Sequence, residues 1–162
     1  MRDLVKYFLD TEFNGFGGDL ISLALAPEEG EPIYLCLTQA ELGDKKITPW
    51  VSQYVLPVLA TPGAAPERLA RKDWSRRLAS YFKNATRIEF VADWPDDIRY
   101  LMQAITVKPG EVIPLPDFSM SCVHVPSWPN QIKGAVRHNA LWDARALREA
   151  IMHPPEQQRR SA

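Results

Sequence analysis

Leu4-Val-Lys-Tyr-Phe-Leu-Asp10, continued by Thr11 and Glu12 and then by the Gly-rich stretch Asn14-Gly-Phe-Gly-Gly18, decides how the chain begins to fold. Residues 4 to 10 are rich in β-branched and aromatic types, which favour a buried strand, and the glycines that follow read as a turn. Side chains alternate across a strand, so Asp10 and Glu12 project to the same face. Half-buried like charges cost several kcal/mol unless compensated, and a divalent cation is a natural compensation for an oxygen-rich pair. The pair taken alone is also what a solvated strand end would carry, and a D-x-E is expected by chance roughly 0.6 times in such a chain.

Working outward, Leu20 to Ala26 and Pro32 to Leu37 are two further apolar runs, separated by Pro27-Glu-Glu-Gly-Glu31. The Pro and Gly mark a hairpin-type connection, so the opening third is expected to be a three-strand antiparallel meander. Thr48 before Pro49 suits a helix N-cap, and Trp50, Val51, Tyr54, Val55 and Val58 recur at helical spacing until Pro57 kinks or stops it. Glu67 to Phe82 has a helix-like pattern, with Arg71, Lys72, Arg76 and Arg77 on a solvated face. Arg87 to Ala92 is a strand candidate. After the turn Asp93-Trp-Pro-Asp96, Ile98, Leu101, Met102 and Ile105 resume helical periodicity. Pro109 to Pro129 is read as irregular, apart from a short strand at Phe118 to Val125. A last helix is expected from near Asn139 to about Met152, stopped by Pro154 and Pro155. Strands first, then helices alternating with a further strand, imply an α/β fold with a mixed sheet flanked by helices.

The composition bounds what such a domain does. At 162 residues, with 46% hydrophobic and 24% charged, the chain fits one domain, residues 1–153, with a polar tail at 154–162. A net charge of -1 argues against coating long nucleic acid, although a local basic groove remains open. Cys36 and Cys122 lack C-x-x-C spacing and read as free buried thiols in a reducing compartment. No stretch approaches a membrane span or a secretory leader, so a cytoplasmic protein with no membrane partner is expected.

Two more acidic segments join the first. Asp93, Asp96 and Asp97 lie at a strand-to-helix junction, where carboxylates also favour the positive end of the helix dipole, so capping is the alternative reading there. Near the chain's end stands His138-Asn-Ala-Leu-Trp-Asp143. Five residues of helix would set His138 and Asp143 roughly 140° apart, so they cannot share one helix face. A helix capped by Asn139 resolves this, with Asp143 pointing inward and His138 on the incoming loop. A surface histidine followed by an ordinary helix acid fits the same segment.

In this order, Asp10-Thr-Glu12, Asp97 after a strand, and His138 with Asp143 on a C-terminal helix resemble the DEDDh exonucleases. The likeness spans nearly the whole chain and extends in length to the short single-domain 3'-5' exoribonucleases. It implies a ribonuclease H-like fold and two Mg2+ or Mn2+ ions held by Asp10, Glu12, Asp97 and Asp143 about 3.5 to 4 Å apart. It implies His138 as the general base and nucleoside 5'-monophosphate as the product. Family members often carry Asn four residues before the second-motif acid; Asp93 holds that place here, a register that favours Asp97 over Asp96. Phe13, Asn14 and Gly15 would lie against the terminal nucleotide, and Asp93, in place of Asn, would be a further substrate contact, bind a water or only fix the turn. By composition alone Phe13 is equally a core residue, while Trp94 and Trp142 read as core. Lys133, Arg137 and Arg145 are candidate phosphate contacts or merely a solvated face. The implied partner is single-stranded or 3'-overhanging RNA, in a chain expected on resemblance to pair as a homodimer. The alternatives are a DNA substrate and a non-catalytic nucleic-acid-binding domain of the same fold.

Overall fold

The structure, a computed structural model, describes residues 4–126 and 129–154. In chain order the elements are β1 (Val5–Phe13), β2 (Leu20–Pro27), β3 (Ile33–Cys36), α1 (Gln39–Gly43) and α2 (Pro49–Tyr54). Then come β4 (Glu67–Arg68), α3 (Trp74–Phe82), β5 (Arg87–Ala92), α4 (Pro95–Ile105), β6 (Thr106–Lys108), β7 (Glu111–Val112), β8 (Asp117–Cys122) and α5 (Ala140–Met152). A mixed sheet of six strands in the order β4-β3-β2-β1-β5-β8 is flanked by the helices. The first three strands form the expected antiparallel meander, and β5 adds to β1 in parallel. β8 pairs in parallel with β5.

Both faces of the central strands are covered, and β2 is buried from end to end. Its alternation is one of size rather than polarity. Ile21, Leu23 and Leu25 enter the larger core, which also holds Tyr7, Leu9, Trp74, Phe82, Phe90 and Tyr100. Ala24 and Ala26 face the other way, into a smaller core with Phe8, Ala140, Ala144 and Leu147 of α5. Phe8, Asp10 and Glu12 therefore share the α5 side, while Leu9, Thr11 and Phe13 turn to the α4 side.

Several expectations need correction. The helical pattern from Glu67 to Phe82 becomes an α-helix only at Trp74, after a single 3-10 turn at Arg71–Asp73. Glu67 and Arg68 pair with Leu35 and Cys36 instead, and Leu69 N–H donates to Cys36 O at 3.0 Å, so strand pairing prevails over local propensity. Arg71 is not on a solvated face: its guanidinium lies over the Trp74 ring, 5.2 Å from the centroid, and partial burial lowers its pKa. Thr48 occupies the N-cap position of α2 without a side-chain cap. The segment expected to be irregular begins with the turn Pro109-Gly110 and β7, which pairs back onto β6, and its later strand runs from Asp117 to Cys122. Cys122 is exposed, unlike the buried Cys36. The tail beyond residue 154 lies outside the described residues. Among those described, no helix is long and apolar enough to cross a membrane.

Candidate metal centre

Strand β1 carries its acids to a place where neighbouring elements end. The last rung between β1 and β5 joins Leu9 to Ala92, so Asp10 and Asp93 both follow it directly. After Asp93 the chain turns into α4, whose N-cap position is Trp94 and whose first helical residue is Pro95. Asp97 lies in that first turn and is buried. Its Oδ1 accepts from Thr11 N–H at 3.0 Å and from the Thr11 hydroxyl at 2.5 Å, which aims the carboxylate at β1. Asp96 turns away to an ion pair with Arg99 at 2.9 Å and caps nothing at Trp94. It is thus Asp97, as the register favoured, that joins the cluster.

The fourth acid arrives on α5. Asn139 caps this helix as expected: its Oδ1 accepts from Leu141 and Trp142 N–H, both at 3.1 Å. The amide's other end donates to Val58 O at 2.9 Å and Ala64 O at 3.2 Å, which fastens the helix start to the segment after α2. His138 precedes the cap with a left-handed backbone, φ 63°. That conformation turns its N–H onto Asp143 Oδ2 at 2.9 Å, so the loop residue and the helix residue meet from different sides. The imidazole also rests edge-on against Trp50, centroids 5.0 Å apart.

These side chains form two groups whose potential ligand atoms lie within 4.8 Å of one another: Asp10 with Asp93 and Asp97, and Glu12 with His138 and Asp143. Burial, and then the neighbouring carboxylates, hold Asp10 and Glu12 well above the usual carboxylate range. Burial likewise pushes Asp97 and Asp143 up to about 7. Burial first and Arg137 second push His138 down, which favours the neutral form of its imidazole. Asp10 Oδ2 is buried with no hydrogen-bond partner. A buried carboxylate oxygen left unpaired among like charges is the condition a hard divalent cation relieves, so these oxygen donors fit such an ion.

The acids floor a cleft of about 820 Å³ whose walls are aromatic. Phe13 lines it while stacking on Tyr100, centroids 4.8 Å apart, and so holds a place between core and cleft. Phe16 and Trp94 stand on the rim, 82% and 47% exposed, their rings 6.3 Å apart. Trp94 is therefore not a core residue, whereas Trp142 is buried as expected. Trp50, 52% exposed, forms the facing wall. The sequence reading overlooked Phe16 and Trp50; Phe16 carried a signal, an aromatic set among turn glycines.

Gly15 lines the cleft, whereas Asn14 lies outside the lining and acts through the neighbouring segment. The Asn14 amide accepts from Thr48 N–H at 2.8 Å and donates to Lys46 O at 2.9 Å, bracing the start of α2. Gly15 has φ 79°, which a side chain would strain. Arg137 lines the cleft, but Arg145 donates to Gly63 O at 2.7 Å and stacks on Trp142, and Lys133 is an exposed residue outside the lining. Compared with known proteins, the chain matches no family model and no curated protein.

Proposed function

We propose that the protein is a two-metal-ion 3'-5' exonuclease of the DEDDh type, acting on the 3' ends of single-stranded or overhanging RNA and releasing nucleoside 5'-monophosphates. One observation carries the reading: Asp10, Glu12, Asp97 and Asp143, drawn from three separate elements, converge with His138 on one cleft. The mixed sheet, an antiparallel meander extended by further strands, is compatible with a ribonuclease H-like architecture.

In this reading Asp10, Glu12, Asp97 and Asp143 hold two Mg2+ or Mn2+ ions, which supply water activation and stabilise charge on the phosphodiester. The side chains do the rest. His138, whose surroundings favour its neutral form, takes the proton of the attacking water on its imidazole nitrogen. Thr11 fixes the Asp97 carboxylate, and the His138 backbone N–H fixes that of Asp143, so neither acid must reorient on binding. The cleft volume suits a terminal nucleotide, and the aromatic walls can stack on any base.

End-labelled RNA and DNA oligonucleotides, digested with Mg2+ or Mn2+, test the proposal. Wild type should shorten RNA stepwise from the 3' end and stop with EDTA; Asp10→Ala should be inactive. His138→Ala should lose roughly 10²-fold or more in turnover while unfolding like wild type. Absence of any metal-dependent shortening would refute the enzyme, and shortening of DNA alone would move the substrate to deoxyribonucleic acid.

A further inference from the structure

We propose that Asp93 is a fifth carboxylate of the metal centre, a direct ligand to the ion that Asp10 and Asp97 hold. The inference deepens the reading above and rests on it in requiring a divalent ion at the end of β1.

Register places the residue. Leu9 and Ala92 are the final paired rung of the parallel strands β1 and β5, so Asp10 and Asp93 are the first residues beyond the β1–β5 pairing, although Asp10 still pairs with Ala24 of β2. The turn through Trp94 and Pro95 then closes with Asp97 N–H donating to Trp94 O at 3.2 Å, which brings a second carboxylate back beside the first. One oxygen from each of Asp10, Asp93 and Asp97 falls within a 4.8 Å set. On the same carboxylate that Asp10 brings to this set, Oδ2 is buried and has no hydrogen-bond partner, as an atom awaiting a ligand would be.

The two halves of the centre also differ in donor chemistry. Asp10, Asp93 and Asp97 offer oxygen alone, which suits Mg2+ or Mn2+, while the group of Glu12, His138 and Asp143 contains an imidazole. An asparagine at position 93 would keep one carbonyl oxygen and lose the negative charge. Aspartate there should hold its ion more tightly than asparagine would. Without metal it adds repulsion among crowded acids.

Asp93→Asn separates these roles. Mn2+ binding is measured by calorimetry and by electron paramagnetic resonance, alongside thermal unfolding in EDTA and in saturating Mn2+. The variant should lose about 10-fold or more in affinity for one of two ions and leave the other unchanged. In EDTA it should unfold at the wild-type temperature or above it, and the gain from Mn2+ should shrink. Unchanged affinity for both ions, or an equal drop in unfolding temperature with and without Mn2+, overturns the assignment and leaves Asp93 a turn residue. Wild type that binds two ions, one weakened by Asp93→Asn, yet digests no nucleic acid would refute the proposed function while upholding the ligand. Wild type that binds no Mn2+ would overturn both.

Discussion

On one face of the sheet, Trp74 and Phe82 of α3 and Tyr100 of α4 pack with Tyr7, Leu9 and Phe90 in a thick layer of rings. On the other face α5 lies against β1 and β2 through Ala140 and Ala144, and the strand residues it meets include Ala24 and Ala26. The first face buries the greater number of large apolar side chains and so contributes more hydrophobic stabilisation. The second buries less but brings a helix close, and a close helix has little freedom to shift. Asp143 is on that helix, and Asp10 and Glu12 look toward it. Bulk on one side makes the fold durable; smallness on the other makes the site exact in position.

Substitutions can test that division. Trp74→Ala should be the most damaging, at about 3 to 5 kcal/mol of unfolding free energy by denaturant titration, because a fully buried ring leaves a cavity. Its surviving folded fraction should keep wild-type affinity for Mn2+. Ala144→Leu should cost less, about 1 to 3 kcal/mol, by overpacking the α5 contact. Yet it should weaken Mn2+ binding, since α5 must rise and carry Asp143 with it. If Trp74→Ala harmed metal affinity more than Ala144→Leu, the two faces would not have separate duties.

A smaller effect comes from pH. Asp97 and Asp143 titrate near 7 in the folded protein, against about 3.9 for a free Asp. A raised carboxyl pKa means that the folded state binds more protons than the unfolded chain between those values, so stability falls as pH rises from about 4 through 7. Unfolding temperature in EDTA should decline over this window, and saturating Mg2+ should remove the decline. Parallel curves with and without Mg2+ would show that the acids are not ion-coupled. The tyrosines of the apolar face are raised above their ordinary value and stay protonated through this window, so the difference between the curves reports the site.

The features legible in the sequence were those set by short-range rules. Period two fixed Asp10 and Glu12 on one face, and cap chemistry placed Asn139 at the start of α5 with Asp143 one turn in. The site's second half required partners distant in sequence. Nothing local announces that Asp93 ends level with Asp10, because that follows from the parallel register of β1 and β5. The pairing of Glu67 and Arg68 was hidden for the same reason, under a pattern that also suits a helix. Two local signals were overlooked. Thr38 and Glu41 form a capping box that starts α1, and Pro109-Gly110 turns the β6–β7 hairpin. Trp94 misled because aromatic character speaks for burial on average, while its position beside a proline-led helix start leaves it on the rim.

The left-handed backbone at His138 gives the molecule a stability it has declined to use. Glycine adopts φ near 63° readily, whereas a residue with a Cβ is disfavoured there by about 1 kcal/mol. His138→Gly should therefore unfold at a slightly higher temperature than wild type, with Asn139 still capping α5, while losing the imidazole. A search for thermostable variants that ignored activity would select glycine at this position and, under the proposed function, would remove the general base in doing so.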